Sequence, residues 1–100
     1  PHTGPYGLGE VDRNPTALVR PKPTYPYSAR SRGIEGEVQV RFLVTAEGEV
    51  RDVRILRASP QGVFGRTVRN TVAGWRFDPA RKAGEAVPVI VTTTIRFQLD

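Results

Sequence analysis

Apolar and polar positions alternate with a period of two from Val87 to Leu99. Val87, Val89, Val91, Thr93, Ile95, Phe97 and Leu99 share one side, and Pro88, Ile90, Thr92, Thr94, Arg96 and Gln98 share the other. The residues are mostly β-branched or aromatic, so the stretch predicts one long strand with a core face. Pro88 cannot donate to a central ladder and is found at edges or strand ends, which favours a sheet edge over a central or shielded strand. An edge offers unpaired backbone groups to another chain, and this one is expected to be the working part of the molecule. The N–H and C=O of one residue in a strand point to the same side, and those of its neighbours point oppositely. With Pro88 facing the open edge, Ile90, Thr92, Thr94 and Arg96 face it too. A bound peptide is then expected to bond chiefly to Ile90, Thr92 and Thr94.

A second alternation runs through Glu37–Val44, with Val38, Val40, Phe42 and Val44 on the apolar side. Ala46-Glu47-Gly48 supplies a tight turn with glycine at a left-handed position. Residues 50–57 form the return strand. Its parity slips between Val50 and Val53, which predicts a bulge near residues 51–53. Before the hairpin, residues 26–32 predict a short helix with Ala29 inward and Gly33 at its end. After it, Ser59-Pro60 predicts the start of a helix of about 12–14 residues. Phe64, Val68, Val72 and Trp75 make its apolar stripe, and Arg66, Arg69 and Asn70 its wet face. Pro79 ends that region, and residues 80–86 are expected to be a polar loop. The expected fold is α+β: a two-layer domain in which a three-stranded antiparallel sheet packs against two helices, in the order α-β-β-α-β.

Six of the nine prolines fall in residues 1–26, a composition that favours extended chain over packed helix. Residues 1–15 are expected to be linker or vector-derived residues, and 16–100 the folded domain, with 16–25 lying on it as an extended arm. No apolar run approaches membrane-spanning length, and there is no cysteine, which excludes thiolate chemistry. The net charge is +5, and of the 15 basic residues only Lys22 and Lys82 are lysine. Acidic residues are interspersed among them, as on an ordinary solvated surface.

Candidate chemistry is sparse. The one histidine is His2, so no His/Cys/carboxylate cluster has metal-ligand spacing. Ser28, Ser31 and Ser59 have no base to activate them. Glu35/Glu37 and Glu47/Glu49 flank glycines in turns, where carboxylates keep loops soluble. An enzyme is not expected, nor is a cofactor or a metal. Trp75 and Phe77 read either as core or as a surface anchor, and Tyr25 and Tyr27 either as arm packing or as a grip on a partner.

The order Tyr25-Pro26, Ala29, Gly33-Ile34-Glu35-Gly36-Glu37-Val38, Val44, Gly48, Val50, Phe64, Trp75-Arg76-Phe77, Pro79 and Gly84 resembles the C-terminal domain of TonB energy transducers, over roughly residues 16–99. The resemblance implies a periplasmic domain of a protein anchored in the inner membrane of a Gram-negative bacterium. Such a domain grips the TonB box of outer-membrane transporters by strand addition. It transmits force from the proton-driven inner-membrane motor for uptake of siderophores, haem or cobalamin. Carried over, the box site is Val89, Ile90, Val91, Thr92, Thr93, Thr94, Ile95 and Arg96. The segment before the Tyr-Pro pair, Arg20, Pro21, Lys22 and Pro23, with Tyr25, is a second transporter contact. The segment reads R-P-K-P, whereas the best-known members carry glutamine at the Lys22 position. Peptidoglycan and a second copy of the chain are further expected partners; nucleic acid is not. RNA binding would want aromatics on the exposed sheet face, where this chain has Gln39, Arg41, Arg54, Thr92 and Thr94. The alternative is a TolA-like structural module of the periplasm that binds no transporter box.

Overall fold

The computed structural model describes residues 4–100; His2 and the rest of 1–3 lie outside the described residues. The centre is a sheet of three long antiparallel strands: β3 (Gly36–Val44), β4 (Val50–Ser59) and β8 (Val89–Phe97), with β3 in the middle. Gly36 pairs with Phe97 and Val44 with Val89 in unbroken register. The alternation sets this arrangement. Val38, Val40, Phe42 and Val44 are all buried under the sheet, with Val89 and Phe97 at the two ends of β8. Each such side chain removed from water contributes about 1.5–3 kcal/mol, so one face drives the fold and the other stays polar.

Helices α1 (Tyr27–Ser31) and α2 (Gly65–Val72) supply the second layer. Ala29 and the stripe Phe64, Val68, Val72 and Trp75 are buried as their spacing predicts, while Arg66, Arg69 and Asn70 are exposed. The hairpin turn closes on Gly48, with φ of +83°, where any Cβ would collide with the Phe77 carbonyl. The expected bulge is present: β3 advances from Arg41 to Leu43 while β4 retreats from Arg54 to Arg51. It centres on Asp52, whose φ is +53°.

Four features differ from expectation. Helix α2 spans eight residues and begins at Gly65, not at Ser59. The return strand continues through Ser59, and Gly62 takes φ of +77°, which no right-handed helix accommodates. A second bulge leaves Leu56 without a partner between the Gln39–Arg57 and Val40–Ile55 pairs, so Leu56 is 50% exposed. Residues 80–86 are a small ribbon, β6 (Ala80–Lys82) against β7 (Glu85–Val87). Its turn carries Ala83 at φ of +51° before Gly84, a conformation alanine rarely signals. The sheet also has a fourth strand.

That strand is β1 (Tyr6–Gly7), parallel to the start of β8, followed by a 3₁₀ turn at Leu8–Glu10. Much of the segment expected as linker therefore packs on the domain. Tyr6 and Val11 lie against the core, and the backbone of Asp12 and Arg13 bonds with Arg81. Arg13 pairs with Asp78 at 2.8 Å, an exposed pair of about 0–1 kcal/mol. Burial of Tyr6 and Val11 is the larger contribution. The arm's β2 (Thr16–Val19) pairs antiparallel with β5 (Arg76–Asp78).

Candidate functional site

The outer edge of β8 is divided. At its start the Tyr6 N–H donates to the Pro88 carbonyl at 3.0 Å, and Tyr6 and Gly7 lie beside Val89 and Ile90. Val89 is fully buried. Among the described residues, β8 pairs from Val91 to Phe97 with β3 on one side only. Because the Pro88 carbonyl points outward, alternation turns the backbone of Ile90, Thr92, Thr94 and Arg96 outward as well. Ile90 falls under β1, so the free outward positions are Thr92, Thr94 and Arg96.

Beside this free edge runs the arm. Arg20, Pro21, Lys22, Pro23 and Tyr25 form one wall of a cleft of about 430 Å³, and residues 93–98 form the other, with Trp75 between them. The structure thus brings the two sequence-derived segments together over the second half of β8. Val89, Ile90, Val91 and Thr92 lie outside the cleft.

Three hydrogen bonds fix the arm. Trp75 Nε1 donates to the Pro21 carbonyl at 3.0 Å. Thr67 Oγ1 donates to the Thr24 carbonyl at 3.0 Å, and the Tyr25 hydroxyl donates to the Ile34 carbonyl. The Tyr25 ring meets Phe64 and Phe97 edge-on, at 5.6 and 5.5 Å between centroids. Burial pushes the Tyr25 hydroxyl above its ordinary pKa and the Glu35 carboxylate adds to this; the Arg30 guanidinium, 5.3 Å from the ring centroid, opposes it. Trp75 and Phe77 are therefore core, each under 10% exposed, yet Trp75 also lines the cleft and holds its wall. Its place at the end of the α2 stripe signalled the burial; its bond to Pro21 had no sequence signal.

The cleft is positive. The Arg20 guanidinium sits 5.5 Å from the Trp75 ring centroid, Lys22 is exposed, and Arg96 lies 3.6 Å from Glu37. None of the lining residues is acidic. Leu99 N–H donates to Glu35 at 2.6 Å, tying the residues after β8 to the loop before β3. Among the described residues no three His, Cys, Asp or Glu converge to hold a metal, and no helix is long and apolar enough to cross a membrane. What the site offers is strand pairing beside a shaped, cationic wall.

The chain is similar to Protein TonB of Pseudomonas aeruginosa, with 36% identity over 97% of this chain and 29% of that protein. It is similar to Protein TonB of Escherichia coli (strain K12), with 43% identity over 79% of this chain and 33% of that protein. The chain thus spans about a third of the length of these relatives. Among solved structures it is similar to the Pseudomonas aeruginosa TonB CTD solution structure, with TM-score 0.77 and 36% identity over 89% of this chain and 90% of that one. The TonB2 protein of Vibrio anguillarum gives TM-score 0.68 at 28% identity, over 100% of this chain and 92% of that one. Residues 21–99 match the model of the Gram-negative bacterial TonB protein C-terminal family, and the chain belongs to that family.

Proposed function

We propose that this domain is the periplasmic end of a TonB-like energy transducer and that it captures the TonB box of outer-membrane transporters as an added strand. The peptide lies along β8 from Val91 to Phe97 and is held at its flank by the arm from Arg20 to Tyr25. The observation that carries this reading is the shared cleft: an open strand edge and a braced proline-rich wall meet in one place. Main-chain bonds supply affinity in such an addition, and side chains set register. The role is one of binding and force transmission rather than catalysis. In this reading an inner-membrane anchor and its proton-driven motor act through other parts of the protein. The cargo is siderophore, haem or cobalamin, and the unit that folds around the site is 16–100 together with the packed segment 6–13. Peptidoglycan contact and self-association through the same edge belong to this reading as secondary partners.

Titration of transporter box peptides against the isotopically labelled chain tests it. The expected result is shift changes along residues 91–98 and 20–25, lost in Thr92→Pro and largely kept in Thr92→Ala. Absence of shifts at millimolar peptide removes the box-binding role and leaves the TolA-like structural module.

A further inference from the structure

A second concave site lies at the opposite edge of the sheet. Between β4 and α2 is a cleft of about 550 Å³, lined by Ile55, Leu56 and Ala58 from the strand and by Arg66 and Arg69 from the helix. Arg66 and Arg69 are three residues apart on α2 and so share a helix side; Arg57, opposite Gln39 in the ladder, also lies beside Glu37, Gln39 and Thr94 on the polar face of the sheet. The Arg66 and Arg69 guanidiniums form no ion pair with another described residue. No acidic residue lines the cleft. Arg13, Arg51, Arg81 and Arg96, by contrast, each have a carboxylate within 4 Å. The bulge that displaces Leu56 from the ladder leaves it 50% exposed in the cleft.

We propose that this cleft binds an acidic peptide segment of a partner protein, with its carboxylates on Arg66 and Arg69 and an apolar side chain against Leu56 and Ile55. The volume falls in the range of sites for ligands of short-peptide size and far exceeds what one inorganic anion fills. β4 ends the sheet, so its main chain is a further partner for a polypeptide, and planar guanidinium forks suit carboxylates. The inference does not depend on the β8 reading, because the two sites share no residue.

The test uses the 100-residue chain and the peptide Ac-Glu-Leu-Asp-Val-Glu-amide, followed by amide shifts. The expected result is perturbation of residues 55–58 and 61–70. Affinity should fall about tenfold in the exposed double variant Arg66→Gln/Arg69→Gln, in keeping with loss of charge-assisted bonds, and should weaken steeply with added salt. Thr92→Pro should leave this binding unchanged while removing box-peptide binding. Comparable affinity of the isosteric peptide Ac-Gln-Leu-Asn-Val-Gln-amide would overturn the proposal. So would shifts confined to residues 91–98, or equal binding by the double variant. Inorganic phosphate or phosphatidylglycerol vesicles perturbing residues 55–70 as strongly as the acidic peptide would make the cleft a general anion or lipid site and also overturn it.

Discussion

The two clefts stand at opposite edges of one sheet and are built by different means. The arm cleft, of about 430 Å³, is walled by an extended segment held down through Trp75, Thr67 and Tyr25. The α2–β4 cleft, of about 550 Å³, is walled by regular elements and rimmed by arginines without carboxylate partners. The first offers outward backbone groups at Thr94 and Arg96, next to the free edge at Thr92; the second offers charge on an apolar strand surface. Backbone recognition tolerates side-chain change but depends on the strand and arm staying in place. Charge recognition tolerates strand perturbation but is screened by salt. One small domain thereby presents two surfaces that can be altered independently, provided their common core stays intact.

The largest expected effect removes that core. Phe64 has no exposed surface, stacks on Phe97 with centroids 4.2 Å apart and meets the Tyr25 ring edge-on. It lies immediately before α2 and beneath the end of β8, so both clefts rest on it. Phe64→Ala should cost about 3–5 kcal/mol, a large share of the roughly 5–15 kcal/mol of a typical domain. Both peptides should lose affinity together as urea unfolding shifts to lower concentration. A cost below about 1 kcal/mol would mean that the clefts do not share this support.

Two neighbouring prolines separate strand from edge. Thr93 turns its backbone toward β3 opposite Val40, so Thr93→Pro deletes a ladder bond and leaves an interior acceptor unpaired, at about 1–3 kcal/mol. Thr92 turns its N–H outward, so Thr92→Pro should keep most of the stability and lose the box peptide. Equal unfolding midpoints for the two variants would show the parity derived from the Pro88 carbonyl to be inverted.

The long elements were legible because their signal is repeated. Four alternating apolar residues in β3 and four at helical spacing from Phe64 to Trp75 each fix a face, and the bulge at Asp52 followed from the parity slip. What escaped had little signal of its own. Tyr6–Gly7 is a strand of two residues, defined by the edge it meets rather than by any pattern. The ribbon at 80–87 turns on Ala83, which carries no turn preference. Helix α2 started late because Ser59-Pro60 reads as a cap locally, while β4 kept Ser59 in the ladder opposite Glu37. For the arm cleft, family resemblance supplied both walls, but the Trp75–Pro21 bond that holds them together is a long-range contact invisible to periodicity. The α2–β4 cleft had its helical arginines marked only as a wet face, since nothing in the sequence placed the bulged Leu56 beside them.

The smallest effect concerns the arm alone. The Tyr25 hydroxyl donates to Ile34, and burial holds its pKa above the ordinary tyrosine value, which is about 10. For an acid whose folded value is raised, the native state binds more protons than the unfolded chain above that ordinary value. Its contribution is therefore fully present below pH of about 10 and is lost as pH rises through the folded value. Stability should be flat from this source through neutral pH and decline on the alkaline side. Deprotonation also removes the donor that ties the arm to the end of α1, so box-peptide affinity should fall over the same range. The acidic peptide, on the far edge of the sheet, should not follow it. Tyr25→Phe keeps the ring against Phe64 and Phe97, removes the hydroxyl bond and should erase that component of the alkaline decline, read as unfolding midpoints across a pH series. An unchanged alkaline slope in Tyr25→Phe would assign the decline to other groups and leave the arm braced by Trp75 and Thr67 alone.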